Sequence, residues 1–278
     1  MDYLDLHIHT SASDGQYTPS EIINLIKSAS LAISAVTDHD TVEGIPEAKQ
    51  QARILGVNFI PGVEISTQEE EEIHILGYGI DETFPELVER CREYTRSRLD
   101  RGKRICDFFV RRGILMQLEE VAQIAGSGSM GRPHFAAWLQ AHGYVSTRNE
   151  AFQKYLDTPE FHVETDRIKP TPQEAVELIQ RSGGKAVLAH PGLLKMSARR
   201  QKTLIRELKA AGLDGVECFY SKHTREQTEH YLSLADEYDL KITCGSDFHG
   251  EKVKPDVKLG MEFDTERYRK RLLFNHLL

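Results

Sequence analysis

The chain has 278 residues, of which 40% are hydrophobic and 28% charged, with a single Trp; that suits one large soluble α/β unit, since α/β barrels reach about 250 residues as single domains. A formal charge of −8 argues against a broad surface for duplex DNA, and no stretch approaches the roughly 20 consecutive apolar residues that cross a bilayer. The acidic start Met1-Asp2-Tyr3-Leu4-Asp5 is unlike a basic secretory signal, and Cys91, Cys106, Cys218 and Cys244 form no C-x-x-C pair, so buried thiols in a cytoplasmic protein are expected.

In chain order, β-rich runs are expected at Leu4–His7, Ala32–Thr37, Val57–Glu64, Ile73–Gly77, Ala186–His190, Gly215–Phe219 and Lys241–Ser246. Helical patterns follow several of them, at 19–30, 46–55, 172–181, 198–211 and 225–238. Strand and helix in alternation imply parallel pairing through right-handed crossovers, and seven strands imply a closed or nearly closed barrel. Thr18-Pro19-Ser20-Glu21 and Thr171-Pro172-Gln173-Glu174 each set a Thr cap before Pro, with Glu three residues after the cap, which marks a helix start. Gly56, Gly183 and Gly212 stand where a glycine ends a helix.

The alternation breaks over 81–170, where 84–112, 118–125 and 132–142 read as helices. The expectation is a barrel built from 1–80 and 171–278, with 81–170 as a mostly helical insertion growing from the strand-end face and covering the active site. The acidic run Glu69 to Glu72 reads as a solvated hairpin tip.

Strand ends carry the chemistry. His7 and His9 are two apart on a strand, so both point to one face. Asp14 follows in a loop that Gly15 allows to turn tightly. Six of the twelve His, namely His7, His9, His39, His74, His190 and His249, fall at strand ends together with Glu64 and Asp247. Imidazoles and carboxylates gathered at one end of a barrel make a metal site. His142, His162, His230 and His276 lack that placement and read as ordinary surface or core residues.

In order and spacing, His7-x-His9, Asp14, Thr37-Asp38-His39, Gly62-x-Glu64, His74, Ala189-His190-Pro191 and Ser246-Asp247-x-His249 resemble the motifs of the polymerase and histidinol phosphatase (PHP) family of phosphoesterases. The resemblance runs from residue 4 to about residue 260 and implies a distorted (β/α)7 barrel with a trinuclear metal centre. It implies one metal on His7, His9, Glu64 and Asp247, a second on Glu64, His74 and His190, and a third on Asp14, His39 and His249. A donor set without thiolate suits Mn, Fe or Zn. Asp5, Asp38 and Asp40 are candidates both to orient ligand imidazoles and to cap helices or turns.

Three divalent ions against Asp14, Glu64 and Asp247 leave about +3, which favours a phosphate over a neutral amide. Clustered metals also acidify a bound water, so hydrolysis of a phosphate monoester by metal-bound hydroxide is expected, with Asp14, His39 and Asp247 as catalytic candidates.

Arg98 and Arg101 share a helix face, either to grip a phosphate or to form surface pairs. Arg-x-x-Arg followed by Arg132-x-His134 before Phe135-Ala136 resembles the branch of the family that removes phosphate from nucleotides. That resemblance implies Arg98, Arg101, Arg132 and His134, with Lys154, Ser221 and His223, as substrate contacts. It further implies AMP or a 3′,5′-bisphosphonucleotide such as pAp as substrate, and short single-stranded RNA trimmed from its 5′ end. The segment 157–164 departs from the Gly-rich stretch of that branch. Histidinol phosphatase shares the metal motifs, and an inactive binding or regulatory module is the non-enzyme alternative. A TIM-barrel amidohydrolase also begins with His-x-His but places a lysine where Glu64 stands.

Overall fold

The computed structural model describes residues 2–68, 73–125 and 130–277, and the acidic run at 69–72 lies outside them. Among the described residues eight strands are formed: β1 (Asp2–Ile8), β2 (Ile33–Val36), β3 (Phe59–Ser66), β4 (His74–Tyr78), β5 (Lys185–Leu188), β6 (Gly215–Tyr220), β7 (Lys241–Gly245) and β8 (Met261–Phe263). They make one sheet in the order β7-β6-β5-β4-β3-β2-β1-β8. Beyond the end of β7 the chain returns to β1, where Asp247 N–H donates to His7 O at 2.9 Å and His9 N–H to Phe248 O at 2.9 Å. These bonds nearly close the barrel.

Pairing is parallel except around β4, which runs antiparallel to both β3 and β5, and at β8, which runs antiparallel to β1. The parallel pairing expected from the alternation is therefore corrected at β4–β5 and at β8. Between Ser66 and His74 there is room for a hairpin connection but not for a crossover helix. Reversal of β4 has a chemical consequence. His74, its first residue, faces Ser66 of β3 and so falls at the barrel end where the parallel strands finish.

Helices form where periodicity and caps placed them. Pro19–Ser28 and Pro172–Arg181 start in reciprocal Thr–Glu capping boxes, and Ile45–Leu55 ends on Gly56 in the left-handed conformation, φ 63°. Apolar residues of β1 and β2 pack beneath Pro19–Ser28 through Ile8, Ile22, Ile23, Ile26 and Val36, all buried. Burial of such side chains is worth about 1.5–3 kcal/mol each.

By its contacts the chain forms two compact units: one up to Cys91 and from Lys169 onward, the other Arg92–Ile168. The second has its own core, in which Phe108, Phe109, Phe135, Trp138 and Phe161 are buried together. It contains most of the helix Pro85–Val110, then Leu118–Ala125, Arg132–Ala141, Arg148–Ala151, a π-helical turn at Phe152–Leu156 and Pro159–Thr165. No described helix is long and apolar enough to cross a membrane.

Candidate metal centre

All nine ligands expected from the sequence lie in the barrel unit. They converge on Glu64 near the end of β3. Its Oε2 lies 3.3, 3.2 and 3.0 Å from ring nitrogens of His7, His9 and His39, and its Oε1 lies 2.8 and 3.0 Å from those of His74 and His190. Asp14 faces His9 Nδ1 at 3.5 Å, His249 Nε2 at 3.3 Å and His39 Nε2 at 3.8 Å. Asp247 Oδ1 faces His9 Nε2 at 3.4 Å and His7 Nε2 at 3.8 Å.

Donor atoms lying within 4.8 Å of one another group as His9, Asp14, His39 and His249; as His7, Glu64 and His190; as His7, His9 and Asp247; and as His39, Glu64 and His74. These groups overlap the three ligand sets implied by the family motifs and cut across them in three places, the first being His7 beside Glu64 and His190. His9 also faces the Asp14 group, and His39 also faces Glu64 and His74.

Metal bonds of about 2.0–2.2 Å set donors around one ion roughly 3–4 Å apart, which is the spacing found. A second observation makes the fit stronger. His7 Nε2, both ring nitrogens of His9, His39 Nδ1, His190 Nδ1 and Glu64 Oε2 are buried without a hydrogen-bond partner. Buried polar atoms left unpaired cost about 1–3 kcal/mol each, and coordination to cations, at one nitrogen of each imidazole and at the carboxylate, would relieve much of that cost.

Local structure fixes each donor. Gly15 N–H donates to Thr10 O at 2.8 Å, and a Cβ at Gly15 would stand 2.4 Å from His9 O, so only glycine lets the Asp14 loop fold against β1. Asp38 anchors that loop by accepting from Thr10 N, Thr10 Oγ1 and Ser13 Oγ. Asp5 accepts from the backbone N–H groups of His7, Ser246 and Gly260 and from Ser246 Oγ, so it ties β1 to the Asp247 loop. Burial pushes its carboxyl up to about 6 against those donors. Asp40 accepts from Ser66 N–H. Asp5 and Asp38 thus act on backbone and hydroxyl groups.

Glu217 is the orienting carboxylate that reading the sequence missed. Fully buried in β6, it lies 3.0 Å from His7 Nδ1 and accepts from His190 N–H at 2.7 Å. His190 precedes Pro191 and sits at φ 24°, ψ 56°, a conformation that costs about 1–3 kcal/mol and persists only when neighbours impose it. The bond to Glu217 is one such restraint. A charged residue inside Gly-Val-Glu-Cys-Phe-Tyr was the available signal.

Electrostatics prepare most ligands for cations. Burial would raise Glu64 and Asp247, but the imidazoles around them outweigh it and hold both carboxyls well below their usual range. Burial lowers His39, against Glu64 and Asp14, and lowers His249 to about 4 with help from His9, so both rings are neutral. Burial would lower His9 too, but the carboxylates of Asp247, Glu64 and Asp14 around it win and raise it to about 9.

The centre opens into a cleft of about 380 Å³ lined by His39, Glu64, His74, His190 and Asp247 together with Leu193, Leu194, Lys195 and Lys254. Of the expected substrate contacts, Ser221 and His223 belong to the barrel unit, whereas Arg98, Arg101, Arg132, His134 and Lys154 belong to the helical unit. Ser221 Oγ donates to Ser246 O at 2.7 Å. His223 accepts from Gly192 N–H at 3.0 Å through Nε2, which leaves Nδ1 to donate to Cys218 O at 3.1 Å. His134 Nδ1 accepts from Gly131 N–H at the start of its helix, Arg132 pairs with Asp157 at 2.8 Å, and Arg101 Nε donates to Thr165 O at 2.9 Å. Arg98 is half-buried, and Lys154 lies 5.0 Å from the Tyr155 ring.

The chain is similar to several known proteins. The PHP domain model matches residues 5–157. The chain is 36% identical over 262 residues, 92% of its length and 87% of the relative's, to the 5′-3′ exoribonuclease Rnm of Salmonella typhimurium. It is 33% identical over 251 residues, 90% of its length and 88% of the relative's, to a 3′,5′-nucleoside bisphosphate phosphatase of Chromobacterium violaceum. A solved structure from C. violaceum, described as an amidohydrolase with bound sulfate and no metal, superposes with a TM-score of 0.80 and 31% identity over 99% of this chain and 95% of that one.

Proposed function

The chain belongs to the PHP family and is a metal-dependent phosphoesterase, and on that premise we propose that it cleaves the 3′ phosphate ester of a 5′-phosphorylated nucleotide. In pAp the scissile group is a terminal monoester, and in short 5′-phosphorylated RNA it is the first internucleotide phosphate. In both, water bonds to phosphorus, the P–O3′ bond breaks and the 3′ oxygen leaves with a proton. One bond chemistry thus accommodates relatives named as a bisphosphate phosphatase and as a 5′-3′ exoribonuclease. AMP, a 5′ monoester, lacks that bond, and its hydrolysis would break P–O5′ instead.

The observation that carries this reading is Glu64, one carboxylate approached by five imidazoles, which is the donor arrangement for clustered divalent ions. We propose three ions on the nine ligands named above, with Mn, Fe or Zn as the fitting metals. Bound there, such ions supply Lewis acidity toward a phosphoryl oxygen and toward water.

The chain's own residues do the rest. Glu217 fixes the ring of His7 and the backbone of His190. Asp14 and His39, with side chains 18% and 13% exposed, stand where protons can be exchanged between the attacking water, the leaving oxygen and solvent. Asp247 completes the proposed catalytic set. Arg98, Arg101, Arg132, His134 and Lys154 are proposed as contacts to the nucleotide and its non-reacting phosphate, with the insertion as a cover over the site. An amidohydrolase reading lacks its bridging lysine, since Glu64 holds that position.

Phosphate or nucleotide release from AMP, 3′-AMP, pAp, histidinol phosphate and 5′-phosphorylated short RNA, with added Mn, tests the proposal. Turnover of pAp and the RNA with none of histidinol phosphate is expected. Hydrolysis of generic aryl phosphates with no nucleotide turned over would sink the substrate assignment and leave the reaction class. Asp14→Asn and His9→Ala should each abolish turnover in folded protein.

A further inference from the structure

The cleft contains a cation that nothing above has used. Lys254 Nζ donates to Asp247 Oδ2 at 2.7 Å, and the Tyr220 hydroxyl donates to the same oxygen at 2.8 Å. Asp247 Oδ1 is left to face His7, His9 and His249. Tyr220 alone would satisfy Oδ2 and hold the carboxylate's orientation, so Lys254 is more than that task requires. An ammonium has three donors. One is spent on Asp247, and the side chain, 29% exposed, lines the cleft beside the imidazoles of His39, His74 and His190.

Its mounting is rigid. Lys254 N–H donates to Gly250 O at 2.9 Å, closing a turn that begins directly after His249. Gly250 has φ 94°, and a Cβ there would stand 2.4 Å from the Gln16 side chain, so the turn requires glycine. Lys252 N–H donates to Gln16 Oε1 at 2.9 Å, and the Tyr17 hydroxyl to Glu251 at 2.7 Å, which fastens this loop to the one that carries Asp14. On the opposite stretch of chain, Lys195 lines the same cleft and is exposed. Gln201 Nε2 donates to Leu194 O at 3.3 Å and steadies that stretch.

We propose that Lys254, with Lys195 as the weaker partner, forms an anion subsite of the barrel unit that takes the non-bridging oxygens of the substrate's phosphoryl group. Lys254 belongs to the loop after β7 and Lys195 to the stretch after β5. Asp247 holds the ammonium in place, and the remaining two donors serve the anion. This inference rests on the phosphoesterase reading but not on the choice of nucleotide.

Inorganic phosphate is the probe, titrated calorimetrically into the full chain loaded with Mn, alongside KM and kcat for p-nitrophenyl phosphate. Lys254→Gln keeps a hydrogen-bond donor for Asp247 and removes the charge, and Lys254→Met removes both. Both should bind phosphate about tenfold more weakly and raise KM by a similar factor, as expected for loss of a hydrogen bond to a charged group, while manganese stoichiometry stays that of the wild type. Lys254→Arg should recover most of the affinity, and Lys195→Met should lose about two- to threefold, in the range of an exposed pair. Phosphate affinity and KM within twofold of wild type in Lys254→Gln would overturn the proposal. If Lys254→Met does not fold, Lys254→Gln decides alone. Loss of phosphate binding in Lys254→Gln without any hydrolysis of pAp or RNA by the wild type would retain the subsite and discard the nucleotide assignment.

Discussion

The barrel unit carries its functional side chains at strand ends, where a donor's position follows from register and from backbone bonds to the neighbouring strand. The helical unit carries its candidate contacts on helix surfaces, where Arg132 is paired with Asp157 and Arg101 with a backbone carbonyl. In the first, the buried donors lack enough partners; in the second, several polar groups already have them. Unpaired buried donors imply a ligand of fixed geometry, such as an ion. Paired surface cations imply adjustable contacts that exchange one anion for another. The barrel therefore holds donors suited to fixed ions, and the helical unit holds cations of the adjustable kind.

The sharpest way to break this contrast is Glu64→Gln, which removes the carboxylate shared by five imidazoles. Activity should fall to the background of chelator-treated protein, with manganese binding lost by calorimetry. Retained binding would show that Glu64 does not bridge. Trp138→Ala comes next in size. Trp138 is buried, donates to Glu120 at 2.8 Å and stacks on His142, so its loss should destabilise the helical unit by about 3–5 kcal/mol, read by denaturant unfolding. Manganese stoichiometry should be unaltered if the barrel is self-sufficient.

Glu217→Gln should weaken metal binding about 10- to 100-fold, the usual effect of removing a group that orients a ligand imidazole. Arg101→Ala should raise KM for pAp about tenfold with little change in kcat, the signature of uniform binding; a fall in kcat alone would make it part of the reaction. The smallest effect concerns protons. His9 in the metal-free protein is raised to about 9, so at pH 7 it is protonated and a metal ion must displace that proton. His7 is raised too, against its burial, by Glu217 and Glu64, so metal affinity should rise with pH from 7 to 9. Calorimetry in buffers of different ionisation enthalpy would read the released proton, and affinity flat from pH 7 to 9 would contradict the assignment.

Much of the barrel was legible because its signals are local and repeated. Capping boxes at Thr18 and Thr171 marked helix starts, and ligand types at the ends of apolar runs marked one face of a sheet. What escaped has a common physical cause. The reversal of β4 depends on the shortness of one connection, while β8 is only three residues long and is defined by its partner β1. Glu217 lies within an apolar strand run, and only the fold brings it beside His7. Tyr220 and Lys254 are separated in sequence and meet only on one oxygen of Asp247. Single residues whose meaning comes from a distant partner carry no pattern of their own.

The seam between β1 and the end of β7 joins His7 to Asp247 and His9 to Phe248 through main-chain bonds, so the residues that fasten the barrel are also ligands or their neighbours. Separating those strands dismantles the centre, and filling the centre resists their separation. Mass action then makes ion concentration a setting for how often the ring opens. Amide exchange at His9 and Asp247 is the clock on which that setting can be read.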